Sequence, residues 1–191
     1  MRYGAVKLFW RKVMMFLFFG CVDQAPPPGE PVTKIVEVEK CSTLYGHRIC
    51  DFDAIDENGE TAFLSDLLGK PIVMDLSAMW CGPCQLAGKD MQKAAEELPG
   101  VTFLTILIED GQGNPPEAND IEGWKDSLGI ETCPVWGSSR DILTSNPIEI
   151  EDKLYMDAWP TFYFINSDGS LEKYVRGYNE DVIKEEARSL E

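Results

Sequence analysis

The sequence of 191 residues predicts an α/β fold, in which a β-sheet is flanked by helices. Residues 71–76 and 101–108 form continuous apolar runs, which are typical of buried strands in a parallel sheet covered on both faces. Between them, residues 85–98 carry apolar side chains at helical spacing, so strand, helix and strand alternate along the chain. The predicted apolar face of this helix comprises Leu86, Met91, Ala94, Ala95 and Leu98.

Two cysteines lie where the first strand meets this helix, within the pentapeptide Trp-Cys-Gly-Pro-Cys at residues 80–84. Cys81 is expected near the helix N-terminus, where unpaired backbone N–H groups and the helix dipole favour a thiolate over a thiol. Cys84 follows one turn later, close enough to form a disulfide with Cys81. Pro83 is tolerated because a proline in the first helical turn removes a donor that has no helical partner. The motif therefore predicts a redox-active pair.

Two other interpretations of this pair are a zinc site and a purely structural disulfide. Zinc usually needs a second cysteine pair or a histidine pair at ligand spacing. The sequence has one histidine, His47, and no second Cys-x-x-Cys motif. We therefore expect no metal site, a redox function for the pair, and a surface position for His47.

Composition and charge indicate the domain count and the compartment of the protein, and they argue against some classes of partner. The composition is that of a soluble globular protein with one domain and extensions, and its six cysteines favour an oxidising compartment. The net charge is −16, and residues 1–20 contain four bases and no acid, so the remainder is still more acidic. A surface this acidic argues against nucleic acid or anionic lipid as a partner of the folded part.

The N-terminal residues predict export. Residues 1–20 combine a basic start with an apolar run too short to span a membrane, which is typical of a secretory signal. A glycine followed by Cys21 resembles a bacterial lipoprotein signal, in which the cysteine becomes the lipidated N-terminus; an uncleaved hydrophobic anchor is the alternative. Residues 21–31 predict a proline-rich tether. Residues 32–191 then form the folded domain, which begins with an edge strand at 33–39.

Local patterns predict two features ahead of the central strand. Cys41 and Cys50 bracket a short polar loop, and such a pair in an exported chain most often forms a structural disulfide. Residues 52–61 are typical of two short strands joined by an Asn-Gly turn. Ser65 is expected to cap a short helical turn at 66–68.

The C-terminal half predicts a helix at 120–128 and then an isolated cysteine, Cys133. We interpret Cys133 as a small buried hydrophobic residue, with a third redox thiol as the alternative. The remaining predicted elements are a strand at 162–165, a turn at 166–169, a strand at 171–175 and a helix that begins at Glu180.

Three stretches that follow one another in the sequence carry a resemblance to a known family. They are Asn-Gly-Glu-Thr at 58–61, Leu-Ser-Asp-Leu-Leu-Gly-Lys-Pro at 64–71, and the pentapeptide at 80–84. They resemble the exported thioredoxin-like family, in its TlpA/ResA branch of membrane-tethered thiol–disulfide oxidoreductases, and the resemblance covers residues 52–190. It implies a thioredoxin-like fold with a central mixed β-sheet flanked by helices, preceded here by an N-terminal strand extension. Residues 138–152 are longer than the comparable stretch of that family, so we expect an insertion near the active-site face.

The resemblance also implies roles for single residues. In this family a cis-proline faces the Cys-x-x-Cys motif, and Pro160 matches it, so the backbone of Trp159 would be presented to an extended substrate. Thioredoxins bury an acid at the position of Asp75, where desolvation raises the carboxyl pKa and allows proton relay; an ordinary strand-end aspartate is the alternative. The basic residue that thioredoxins place on the next strand is missing here, since Thr105 lies in that region. The candidate catalytic residues are Cys81, Cys84 and Asp75, and the candidate substrate-binding residues are Trp80, Gly82, Pro83, Trp159, Pro160 and Thr161.

Together these features predict an extracytoplasmic thiol–disulfide oxidoreductase, held on the periplasmic side of a membrane as a lipoprotein. The Gly-Pro pair between the cysteines matches thioredoxin and indicates reduction of protein disulfides. No cofactor is needed. The expected partners are protein thiols and disulfides, a protein electron donor such as a membrane electron conduit, and the membrane through the lipid anchor, but no nucleic acid. The alternatives are a thiol peroxidase of the redoxin type, a non-enzymatic module that binds copper through the two thiolates, and an adhesive or structural tether whose redox pair is incidental.

Overall fold

A computed structural model describes residues 41–146 and 153–191. The predicted signal sequence, the lipidation site Cys21, the proline-rich tether and the edge strand at 33–39 lie outside these residues. Within them, no helix is long and apolar enough to cross a membrane. In chain order the elements are β1 (Ile72–Ala78), α1 (Gly82–Glu97), β2 (Thr102–Glu109), α2 (Ala118–Leu128), β3 (Val135–Gly137), β4 (Leu143–Thr144), β5 (Leu154–Tyr155), β6 (Thr161–Ile165), β7 (Leu171–Arg176) and α3 (Glu180–Arg188).

Five strands form one mixed sheet in the order β3-β2-β1-β6-β7. β1 runs parallel to β2, and β2 runs parallel to β3, whereas β6 is antiparallel to both β1 and β7. β1 is therefore the central strand, and all seven of its residues are buried, which accounts for its continuous apolar sequence. The predicted mixed sheet with flanking helices is confirmed. A second, two-stranded parallel sheet joins β4 to β5.

The two faces of the main sheet bury separate apolar clusters. One face packs against all three helices, through residues such as Met91 of α1, Trp124 of α2 and Ile183 of α3. The opposite face is covered by loops and short 3-10 turns, through residues such as Leu64 and Ile142. Both cysteines of the redox motif belong to the helix-side cluster. The motif is therefore part of the apolar core and lies at the carboxyl end of the central strand.

Helix ends are set by recognisable local chemistry. The N-cap of α1 is Cys81, and Pro83 lies in the first turn, where it leaves the helix intact. The N-cap of α2 is Glu117, which forms a capping box with Asp120. This helix ends at Gly129, whose φ of +69° is the left-handed conformation that glycine adopts without strain.

The predicted apolar face of α1 is wrong at one position. The helix begins at Gly82, three residues before the predicted start, and Leu86 is 58% exposed. The buried stripe runs instead through Ala87, Met91 and Ala94. Leu86 is about a quarter turn away from this stripe, so its side chain faces solvent beside the redox motif.

Two further local predictions also differ from the structure. Residues 52–61 do not form two strands; Ile55 makes isolated bridges to Thr61 and to Gly137. The predicted Asn-Gly turn does form, since the Gly59 N–H donates a hydrogen bond to the Asp56 carbonyl oxygen at 3.0 Å. The second bridge attaches this segment to the edge of the main sheet. Ser65 does not cap the following 3-10 turn, Leu64–Leu67, because the N-cap position is occupied by Phe63.

Candidate active site

Cys81 and Cys84 form a disulfide at the N-terminus of α1, with an S–S distance of 2.12 Å and a Cα–Cα distance of 5.2 Å. The Cys81 sulfur accepts a hydrogen bond from the backbone N–H of Cys84, at 3.2 Å. The same helix N-terminus stabilises a thiolate on Cys81 when the disulfide is reduced. Cys81 is 5% exposed and Cys84 is fully buried. Of the two cysteines, Cys81 is therefore the less buried.

The surface around the disulfide is formed by the other residues of the pentapeptide and by the segment before β6. Trp80, Gly82 and Pro83 are exposed. The Trp159–Pro160 peptide bond is cis. The Trp159 ring meets the Trp80 ring edge to face, with centroids 5.4 Å apart, so the cis-proline segment lies beside the redox motif.

Pro160 and Thr161 are both buried, and Thr161 begins β6. Its hydroxyl group donates a hydrogen bond to the carbonyl oxygen of Ala158, at 2.8 Å. This bond closes the turn that contains the cis-proline. Thr161 therefore shapes the segment, whereas Trp159 lies at its surface.

Asp75 lies in the middle of β1 and is fully buried. Burial raises the pKa of its carboxyl group from 3.8 to about 7, and a hydrogen bond from the Ser77 hydroxyl opposes that rise. Asp75 pairs in register with Thr105 of β2. Val73, which points to the same side of the strand, belongs to the helix-side cluster together with Cys84. Asp75 is thus a buried acid on the face of the sheet that carries the shielded sulfur.

A glutamate that the sequence analysis missed links the two tryptophans. The buried Glu109 carboxylate accepts a hydrogen bond from the Trp80 indole N–H, at 2.7 Å, and another from the Arg140 guanidinium. The bond from Arg140 holds the pKa of Glu109 below its ordinary value, despite the partial burial, and the bond from Trp80 adds to this effect. The Arg140 guanidinium also lies 5.6 Å from the centre of the Trp159 ring.

The sequence contained one signal for this arrangement. Glu109 is an acid that directly continues the apolar run of β2, as Asp75 interrupts that of β1. Arg140 belongs to residues 138–152, which were expected near the active-site face, and its contacts with Glu109 and Trp159 place the first part of that segment there. Beside Trp159 the same segment lines a groove of about 390 Å³, whose walls include Arg140, Leu143, Met156 and Asp157.

The other described cysteines are Cys41, Cys50 and Cys133. Cys41 and Cys50 are joined by a disulfide with an S–S distance of 2.04 Å. Their loop is attached to the rest of the fold by a bridge between Arg48 and Ser170. Cys133 is a buried free thiol, and burial raises its pKa to about 11. Such a thiol is protonated at neutral pH, which favours the structural interpretation over a third redox thiol.

A metal site requires a group of ligating side chains. Within residues 41–146 and 153–191, no group of three or more histidine, cysteine, aspartate or glutamate side chains is placed to hold a metal ion. His47 is exposed in the loop between Cys41 and Cys50, as expected from the sequence.

Comparisons with known proteins agree with this geometry. Residues 45–174 match the AhpC/TSA family. A thioredoxin from Geodia cydonium is 26% identical over 125 residues, which cover 65% of this chain and 84% of that protein. The structure of the exposed lipoprotein thioredoxin of Streptococcus pneumoniae is 27% identical, with a TM-score of 0.57, and the match covers 74% of this chain and all of that one. A secreted thiol-disulfide isomerase from Corynebacterium glutamicum, 17% identical, shares the fold with a TM-score of 0.59 over 85% of this chain and 95% of that one.

The family match spans more than half of the chain and includes both cysteines of the motif, the buried acid and the cis-proline. The chain therefore belongs to the AhpC/TSA family, with the thioredoxin-like fold and the paired cysteines of a thiol–disulfide oxidoreductase.

Proposed function

We propose that this protein reduces protein disulfides outside the cytoplasm. The observation that carries the proposal is the asymmetry of the redox pair: Cys81 is the N-cap of the helix and keeps a small exposed fraction, 5%, whereas Cys84 is fully buried. An accessible nucleophile and a shielded resolving thiol are what a two-step exchange requires. The Gly-Pro pair between them, as in thioredoxin, supports the reducing direction.

In the first step the Cys81 thiolate attacks one sulfur of the substrate disulfide. The substrate S–S bond breaks, a mixed disulfide forms on Cys81, and the other substrate sulfur leaves as a thiolate that takes a proton from water. The helix N-terminus favours the attacking thiolate. The exposed Trp80, Gly82 and Pro83 and the backbone of Trp159 would contact the substrate chain on either side of its cystine.

In the second step Cys84 loses its proton to the Asp75 carboxylate and attacks the Cys81 sulfur. The mixed disulfide breaks, the Cys81–Cys84 bond forms, and the second substrate sulfur leaves as a thiolate that is protonated by water. Two electrons have passed from the protein to the substrate, so a protein donor must reduce Cys81–Cys84 before the next cycle. An Asp75 pKa of about 7 suits this proton exchange at neutral pH.

The location is part of the proposal. The sequence of residues 1–21 and the secreted or exposed character of the two solved relatives support export, with lipidation at Cys21 and residues 21–31 as a tether. Stable attachment requires more than one acyl chain, because a single chain binds membranes only marginally. Cys21→Ser should release the protein from membranes; retention of Met1 in the mature protein would contradict cleavage at this site.

The activity is tested by reduction of insulin with dithiothreitol as the electron source. The wild-type protein should accelerate the reaction, Cys81→Ser should abolish it, and Cys84→Ser should accumulate a mixed disulfide that non-reducing electrophoresis detects. Cys133→Ser is the matched control, because it removes a buried thiol outside the motif and should retain full activity. Peroxide consumption without insulin reduction would instead indicate the peroxidase, and stoichiometric Cu(I) binding without either activity would indicate the copper module.

A further inference from the structure

The Asp75 carboxyl group has a single hydrogen-bond partner among the described residues. The Ser77 hydroxyl lies 2.6 Å from its Oδ2 atom, and both side chains are fully buried. Oδ1 of Asp75 makes no hydrogen bond within residues 41–146 and 153–191. Positions 75 and 77 are two apart on β1, so their side chains share the face of the sheet that carries Cys84. One oxygen is thus held by Ser77, and the other is free to exchange a proton.

The other groups that face Asp75 do not replace this bond. On the same side of the sheet lie Cys81 and Cys84, in the cluster that includes Val73, and Tyr178 from the segment before α3, whose hydroxyl is committed to Asp90 at 2.6 Å. On β2 the hydroxyl of Thr105, which pairs in register with Asp75, points to the sulfur of Met91 instead. On β6 the residue in register is the apolar Phe162. No lysine or arginine of the described residues acts on the carboxyl group.

We propose that Ser77 is a positioning residue of the redox site, which orients the Asp75 carboxyl group and stabilises its ionised form for proton uptake from Cys84. The proposal rests on the proposed function. An unpaired carboxylate in this apolar setting is strongly disfavoured, since burial penalises a charge that has no partner. Among the described residues the Ser77 hydroxyl is the one donor that offsets this penalty, and it leaves Oδ1 available to the thiol.

The consequence concerns the second step of the reaction. There the Cys84 proton moves to Asp75 while the Cys84 sulfur attacks Cys81, and only the ionised carboxyl group can accept that proton. Without the Ser77 hydroxyl the carboxyl group stays protonated to higher pH. Resolution of the mixed disulfide should then need a higher pH, whereas the first attack by Cys81 should be unaffected.

The test uses dithiobis-nitrobenzoate, an aromatic disulfide whose released thiolate is coloured. Rapid mixing with protein in which Cys81–Cys84 is reduced and Cys41–Cys50 is intact separates a first release, due to attack by Cys81, from a second release, due to resolution by Cys84. In the wild type the second rate should rise with pH around the Asp75 pKa of about 7. In Ser77→Ala the midpoint of this rise in the second release rate should shift upward by about one pH unit. This shift corresponds to the lower end of the free energy that a hydrogen bond to a charged group contributes. At pH 7 the second release is then about fivefold slower, because the ionised fraction falls from about one half to about one tenth.

Three comparisons make the result specific. Ser77→Thr and Ser77→Val have nearly the same shape, but only threonine keeps the hydroxyl group. The pH midpoint of the second release should therefore stay low in Ser77→Thr and rise in Ser77→Val. This pair gives the answer even if Ser77→Ala is unstable. Thr105→Val removes a neighbouring buried hydroxyl that bonds elsewhere and should leave the midpoint unchanged. Combined with Asp75→Asn, Ser77→Ala should have no further effect on the second release.

The outcomes separate the two claims. An unshifted midpoint in Ser77→Ala, with equal midpoints in the threonine and valine variants, would overturn the role of Ser77 and leave the oxidoreductase intact. A shift that persists in combination with Asp75→Asn would also overturn it, because the hydroxyl would then act on another group. A wild-type protein that shows one release only, and that does not reduce insulin, would instead refute the proposed function.

Discussion

Asp75 makes the stability of the oxidised protein depend on pH in an unusual direction. Its pKa is 3.8 in an unperturbed chain and about 7 in the folded protein, because burial disfavours the charged form. The folded state therefore binds this proton more tightly than the unfolded state. The stabilisation is complete below about pH 4 and is lost as the pH rises toward 7, at about 1.4 kcal/mol per pH unit. Between pH 4 and pH 8 this one group should lower the free energy of unfolding by about 4 kcal/mol.

Asp75→Asn removes the titration and retains an oxygen that can accept the Ser77 hydrogen bond. The free energy of unfolding of Asp75→Asn should rise by about 4 kcal/mol relative to that of the wild type as the pH rises from 4 to 8. The difference between the two proteins is the quantity to measure, by urea unfolding of the oxidised forms at each pH, because other titrating groups then cancel.

The matched control is Asp90→Asn. Hydrogen bonds from Tyr178 and Lys93 outweigh the effect of burial on Asp90 and lower its pKa from 3.8, so that group is ionised above about pH 5 in both the folded and the unfolded state. The difference in free energy of unfolding between Asp90→Asn and the wild type should therefore be constant above about pH 5. A difference between Asp75→Asn and wild type that is equally flat from pH 4 to pH 8 would refute a buried acid with a raised pKa.

Three other predictions concern the surface and the second disulfide. In the reduced protein at neutral pH, Cys81 should be alkylated before Cys84, as mass spectrometry of partially modified protein will show; equal rates would contradict the assigned roles. Replacing Cys41 and Cys50 together by alanine should lower the free energy of unfolding by about 2–3 kcal/mol in the chain-entropy model, measured by urea unfolding. Arg140→Ala removes a cation–π contact to an aromatic ring beside the disulfide, so the KM for insulin should rise about two- to fivefold with kcat unchanged.

The central elements were predictable because their determinants are local. The apolar run of β1, the helical pattern of α1 and the pentapeptide between them lie within residues 71–98, so the junction that holds the cysteines could be located. The mixed character of the sheet followed from the family resemblance, since periodicity alone does not reveal strand direction. Ser77 was within reach of a pattern argument, because side chains two apart on a strand share a face with each other.

The contacts that the sequence did not predict are long-range. Glu109 and Arg140 are 31 positions apart, and their meeting depends on how the segment after β3 returns over the cis-proline. Leu86 was assigned to the wrong side because one shift of about 100° moves a helical residue from the buried stripe to the surface. Ile55 also pairs with Gly137 of a distant strand, a contact that the local Asn-Gly turn does not predict.

The most direct test of the account is the reduction potential of the Cys81–Cys84 pair. Equilibration with defined ratios of reduced and oxidised dithiothreitol, followed by thiol trapping, gives this value. The Cys-Gly-Pro-Cys motif and a reducing function predict a potential near that of thioredoxin, roughly −270 mV. A potential near roughly −120 mV, typical of a strong oxidant, would contradict the reducing function and make the protein an oxidase of thiols.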